Sequence, residues 1–264
     1  MAPGETAADD IRVRVRPLLA VLVGAIAVAS LVSASATATA GGACGTSAGD
    51  GGYTYAGHQA TYRGHGVRAT ITVVRAPDVA AGHVAGWVGV GGPGQGANGG
   101  DAWIQAGVAS MPGMDPFIYA EITREGRDPE FILIEQGVPA GRSHRVAVLE
   151  MSGRAGWWRI WVDGDAVTEP VRLRGSSGRW APIATVESWN GGESSCNAFS
   201  FQFERVSVSY GGGGSWRPFV PAHHFLNEGY KLRNLASAPA ESGAYRSVAS
   251  EAVLPYAFVA ASGS

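Results

Sequence analysis

Three polar positions interrupt otherwise apolar runs in this chain: Gln105 in "AWIQAGV", Glu121 in "FIYAEITR" and Glu187 in "PIATVESWN". A buried amide must be hydrogen-bonded or it costs a few kcal/mol, so Gln105 has to meet a partner. Carboxylates at such positions are candidates for general acid–base work. In an extended strand, alternate residues share a face. That rule groups Trp103, Gln105 and Gly107, then Phe117, Tyr119, Glu121 and Thr123, then Thr185, Glu187 and Trp189. Each polar group therefore has an aromatic beside it. Taken singly, each reads as part of a solvated sheet face. Three together suggest an aromatic-lined concave face with convergent polar groups, which can hold an extended polymer, peptide or glycan. Glu121 and Glu187 could also cleave a glycosidic bond as a retaining pair if their carboxyls lie ~5–5.5 Å apart.

The elements that must position these residues are strands. From Val67 to Val208, short alternating runs such as "VRATITVVR", "GWVGV", "EFILIE" and "HRVAVLEM" are separated by Gly, Pro, Asp and Asn. No window of helical length keeps a 3.6-residue apolar period. "VDGDAV", with Asp163-Gly164 between apolar runs, is a hairpin signal. About ten closely spaced strands predict an all-β, antiparallel sandwich or jelly roll spanning 67–219. Trp157, Trp158 and Trp161 are expected mainly in packing. Residues 41–66 read as a flexible lead-in, and "GGGGS" (Gly211 to Ser215) as a linker after which Trp216 and Phe219 can dock back as an edge strand. Residues 220–264, rich in Ala, Ser and Pro, read as a partly disordered tail.

The first 40 residues have the layout of a secretory signal. Arg12, Arg14 and Arg16 precede the apolar "PLLAVLVGAIAVASLV", and "ATA" (Ala38 to Ala40) is a small-residue cleavage site. A single-pass anchor is the rival, but Pro17 to Val32 falls short of the ~20 apolar residues a span needs. The expectation is a secreted, extracellular monomer with no membrane association after cleavage. The two cysteines, Cys44 and Cys196, would then meet an oxidising compartment, where one disulfide is their simplest use. A net charge of −2 and a single lysine, Lys231, leave no basic block for phosphates, so nucleic acid is not an expected partner. The six histidines show no metal-ligand spacing, and neither a metal nor a cofactor is expected. "GTSAG" (Gly45 to Gly49) has the nucleophile-elbow pattern but sits in a glycine-rich leader. "GPGQGANGG" (Gly92 to Gly100) leads into a strand instead of a helix and reads as a mobile surface loop.

In order along residues 83–208, "GWVGVGG", "WIQAGV", "YAEI" and "VES" resemble the glutamic peptidases (eqolisins). Those are secreted acid endopeptidases on a concanavalin A-like β-sandwich, working through a Gln–Glu dyad and an activated water. The resemblance implies Gln105 as the dyad glutamine, Glu187 as the catalytic glutamate and Glu121 as a supporting glutamate. It also implies a substrate cleft lined by Trp87, Trp103, Tyr119 and Trp189. On this reading Gln105 faces Glu187 across the cleft: Glu187 takes a proton from water, and the Gln105 amide donates to the developing oxyanion. Glu121 and Glu187, as like charges, would raise one of the two protonation ranges. The chain departs from the family pattern at Gly91, where aspartate is usual, and at Val186-Glu187-Ser188, where alanine-glutamate-tryptophan is usual. A register shift of two would put Thr185 in the catalytic place.

Two other readings share the architecture. "GWWRIWVDGDAV" (Gly156 to Val167) resembles the hairpin of laminin-G and legume-lectin-like sandwiches, which implies a non-catalytic carbohydrate-binding module. The third reading is the two-glutamate glycoside hydrolase.

Overall fold

The computed structural model describes residues 52–190, 196–235 and 256–262. The described chain folds into sixteen strands in chain order: β1 (Tyr53–Ala60), β2 (Gly66–Asp78), β3 (His83–Gly92), β4 (Ala102–Ser110), β5 (Phe117–Thr123), β6 (Glu130–Glu135), β7 (Ser143–Glu150), β8 (Trp157–Val162), β9 (Asp165–Ala166), β10 (Val171–Arg172), β11 (Ile183–Trp189), β12 (Ala198–Ser209), β13 (Trp216–Pro218), β14 (Pro221–Leu226), β15 (Tyr230–Asn234) and β16 (Tyr256–Ser262). They form two antiparallel sheets. One has seven strands in the order β14-β1-β11-β3-β4-β5-β6. The other has nine, with the path β10-β8-β7-β2-β12-β16-β15 and with β9 on β8 and β13 on β12. This is a concanavalin A-like sandwich.

The core between the sheets follows from alternation. Val84, Val88 and Val90 of β3, Ile104, Ala106 and Val108 of β4, Ile118, Ala120 and Ile122 of β5, and Ala184 and Val186 of β11 all point inward. They meet Ile71 and Val73 of β2, Val146 and Val148 of β7, and Phe199, Phe201 and Phe203 of β12. Fully burying one such side chain is worth about 1.5–3 kcal/mol. Burying this set fixes which face each strand turns inward, and so turns Gln105, Glu121 and Glu187 outward together. Of the three hairpin tryptophans only Trp158 is a core residue; Trp157 lies half-buried under the Arg154 guanidinium, 4.2 Å from its ring centroid. The Asp163-Gly164 turn has φ of 52° and 109°, the doubly left-handed pair of a tight hairpin.

Several expected flexible segments are built into the fold. The lead-in 41–66 contains β1, which pairs with β11 beside the candidate site. Its inward residues are Thr54, Ala56, His58 and Ala60, too small or too polar to announce a strand. The tail 220–264 supplies β14, β15 and β16, and β16 lies between β12 and β15 with Phe258 fully buried. "GGGGS" connects β12 to β13, which pairs back on β12 through Trp216. The glycine-rich loop after β3 is fastened: Glu125 accepts from the Asn98 and Gly100 amides at 2.9 and 3.1 Å, and the Trp180 indole donates to the Gln95 carbonyl at 3.1 Å. Cys44 and the 1–40 leader lie outside the described residues, and with Cys44 goes the expected pairing to Cys196. No helix among the described residues is long and apolar enough to cross a membrane.

Candidate active site

The outer face of the seven-stranded sheet is ordered in rungs by the strand register. On one rung lie Ile183, Gly89, Gln105, Glu121 and Phe131. On the next lie Gly57, Thr185, Trp87, Gly107, Tyr119 and Leu133. On the one after that lie Tyr55, Glu187, Ala85, Ala109 and Phe117. Beyond it Tyr53, Trp189 and His83 are aligned. Gly107 is demanded by the middle rung: a Cβ there would stand 2.0 Å from the Gly86 carbonyl oxygen and 2.6 Å from Trp87 Cα.

Gln105 and Glu187 are each only 7% exposed, on one face, but they are not rung neighbours. Glu187 aligns through Ala85 with Ala109, four residues from Gln105 along β4; that is about 13 Å of strand rise. Ile183 occupies the β11 position level with Gln105. Alternation specifies a face but not a rung, because every shift by two residues preserves it.

Each polar group has a defined partner. The Trp87 indole donates to Glu187 Oε2 at 2.9 Å, and His83 Nε2 lies 3.3 Å from Glu187 Oε1. The Trp103 indole donates to Glu121 Oε1 at 2.8 Å. Gln105 Nε2 donates to the Tyr119 hydroxyl at 3.3 Å. Two of the aromatics expected as cleft walls thus hold the carboxylates in place. Tyr119 is buried at 2% exposure, stacked on Phe131, and Trp189 stacks on Tyr53 with centroids 6.0 Å apart.

Electrostatics join the rungs into one patch. Burial raises the Glu121 carboxyl above its ordinary 4.5, and the nearby Glu187 charge adds to the rise; the Trp103 hydrogen bond and His83 oppose it. Burial, Glu187 and Glu121 raise the Tyr119 hydroxyl well above 10, and the same three causes push Tyr53 up to about 12. Both phenols therefore remain O–H donors across the acid and neutral range. No three His, Cys, Asp or Glu side chains gather as a metal site among the described residues.

His83, Tyr53 and Tyr55 were not anticipated at the site. A signal for His83 existed: it has the same parity as Ala85 and Trp87 in "HVAGW", which places it on their face. Its nearness to Glu187, 104 residues away in sequence, comes from the β3–β11 register.

No family model matches the chain, and no curated protein matches it. Among solved structures it is similar to scytalido-glutamic peptidase in complex with a peptide-based transition state analog. That likeness has a TM-score of 0.47 and 14% identity, covering 80% of this chain and 98% of the other. It is similar to SCP-B, a member of the eqolisin family of peptidases, in complex with the tripeptide Ala-Ile-His. There the TM-score is 0.43 at 14% identity, over 81% and 99% of the two chains. A further likeness is to LamAcat from Zobellia galactanivorans, with a TM-score of 0.31 and 10% identity over 55% and 63%.

Proposed function

We propose that this chain is an exported, acid-acting endopeptidase of glutamic type, hydrolysing extended polypeptides on the outer face of the seven-stranded sheet. The observation that carries the reading is a buried carboxylate, Glu187, held by the Trp87 indole on the same face as a buried amide–phenol pair, Gln105 and Tyr119. Glu187, as carboxylate, takes a proton from a water, and the resulting hydroxide attacks the scissile carbonyl carbon. The Gln105 amide donates to the Tyr119 oxygen, which leaves the phenol O–H to donate to the developing oxyanion. Glu121, whose carboxyl is raised by burial and by the Glu187 charge, gives its proton to the departing amine. This assignment lets Gln105 act through Tyr119, as the four-residue offset from Glu187 requires.

The test is digestion of an unfolded protein by the purified chain from pH 2 to 7, comparing wild type with Glu187→Gln and Gln105→Ala. Acid cleavage abolished in the first variant and reduced at least ~10-fold in the second, with unchanged melting, would support the assignment; one lost hydrogen-bond contribution of about 1.4 kcal/mol makes that factor. A wild type that cleaves at no pH overturns it.

One observation favours a second reading. Two carboxylates on one face, with the Glu121 carboxyl raised by burial and by the Glu187 charge, also suit an acid–base pair for glycoside hydrolysis. Release of reducing sugar from a polysaccharide, lost in Glu121→Gln and Glu187→Gln alike, would select it. Glycan binding indifferent to both substitutions would instead indicate a lectin-like module.

A further inference from the structure

His83 opens β3 at the rim of the candidate site, with its side chain 21% exposed and its Nε2 on Glu187 Oε1. The other Glu187 oxygen already accepts the Trp87 indole N–H, so the two contacts together fix both ends of the carboxylate. Packing sets the orientation of the imidazole. Its ring lies 5.8 Å from Tyr53 at an interplanar angle of 61°, and 5.6 Å from Trp189 at 42°. Among the described residues, the titratable groups facing it are Glu187 from β11, Tyr53 from β1 and, at longer range, Glu121 from β5. The carboxylate in contact with the ring is Glu187, so an imidazolium at His83 would set a cation directly on Glu187 Oε1. A cation against Glu187 in turn favours the carboxylate form, which a general base needs when the surrounding solution is acidic.

We infer that His83 is the positioning residue of the site: as imidazolium it holds Glu187 ionised and aimed, and it sets the lower pH limit of catalysis. This rests on the reading of Glu187 as the base. A ring serving only as packing between Tyr53 and Trp189 would give its nitrogens no such role, and His83→Phe separates the two cases because it keeps the ring and removes the nitrogens.

Two measurements test it. The first needs no activity: the pH titration of the His83 ring protons is followed by NMR, assigned by its disappearance in His83→Phe, in wild type and in Glu187→Gln. The expected result is a midpoint about one pH unit lower in Glu187→Gln, a tenfold change in proton affinity. Coincident midpoints overturn the inference. The second is the pH dependence of kcat/KM for a peptide substrate. In His83→Phe the acid limb moves up by about one pH unit, so that cleavage on that limb falls about tenfold while KM is unchanged. An acid limb that stays in place, with folding intact, overturns the inference even where the peptidase reading survives. A wild type without peptidase activity removes the peptidase reading, and the NMR result alone then decides whether the His83–Glu187 pair is electrostatic.

Discussion

At the scale of single residues, the division of labour proposed for Glu121 and Glu187 rests on their surroundings. Both accept one indole N–H, from Trp103 and Trp87 respectively, so that contact does not separate them. The register puts His83 beside Glu187, whereas Glu121 lies on the Gln105–Phe131 rung, where burial and the Glu187 charge raise its carboxyl. An acid must hold its proton to work, so activity should fall as pH rises through the raised Glu121 range. Glu121→Gln is expected to lower kcat by about 10²–10⁴-fold, the usual worth of a positioned proton donor, and to abolish that alkaline limb. A limb that persists in Glu121→Gln would assign it to another group. Trp87→Phe keeps the ring but deletes the hydrogen bond to a buried carboxylate, an interaction worth about 1.5–3 kcal/mol. The expected cost is about 10- to 100-fold in kcat/KM, measured alongside a thermal melt to separate catalysis from folding.

At the scale of elements, the site depends on how closely β3 and β4 approach. The Gly107 position has backbone, not flexible side chain, in the way of any Cβ. Gly107→Ala must therefore part the two strands that carry Trp87 and Gln105. Overpacking of this kind costs about 1–3 kcal/mol, which for a domain of this size lowers Tm by roughly 2–12 °C. Activity should fall further than the melt, because the Trp87 and Gln105 contacts lie on either side of the displaced glycine. The strands bearing the site were legible in the sequence because their inward residues, such as Ile104, Ala106 and Val108, contrast with their outward ones. β1 was not, since "YTYAGHQA" turns only small or polar residues inward, Thr54, Ala56, His58 and Ala60. β16 was not, because "YAFVAAS" reads as small residues until Phe258 is seen against Phe203 with ring centroids 4.6 Å apart. The grouping of Gln105, Glu121 and Glu187 on one face was also legible, as parity is a sequence property. Their rungs were not, because the rung of Glu187 is decided by pairing β11 with β3, about 100 residues apart, which no local pattern encodes.

At the scale of the whole molecule, the two sheets meet at a histidine that works against acid conditions. His58 of β1 points inward to Tyr256 and Phe258 of β16, with Tyr256 Oη 2.9 Å from its Nε2 and the Phe258 centroid 4.9 Å away. Its Nδ1 is buried without a hydrogen-bond partner. Burial, reinforced by His224 on β14 and opposed by Asn234, lowers its protonation from the ordinary 6.5 to about 4. The unfolded chain takes up a proton near 6.5, while the folded chain does so only near 4. Between those values the unfolded state binds more protons, so stability falls as pH drops through that window and levels off below it. The strand at risk is β16, whose departure would uncover Phe203 and Phe199 of β12. Thermal melts at pH 7, 5 and 4 should therefore show a falling Tm in wild type. His58→Gln should begin lower at pH 7, having lost the imidazole packing on Tyr256, and decline less steeply. Parallel declines in the two proteins would mean that other groups carry the acid sensitivity. On the proposed peptidase reading there are two separate lower limits, one set at the Glu187 carboxylate and one where the β1–β16 contact gives way. They are distinguished by recovery: activity lost through Glu187 returns at once when pH is raised, whereas activity lost through β16 returns only at the rate of refolding.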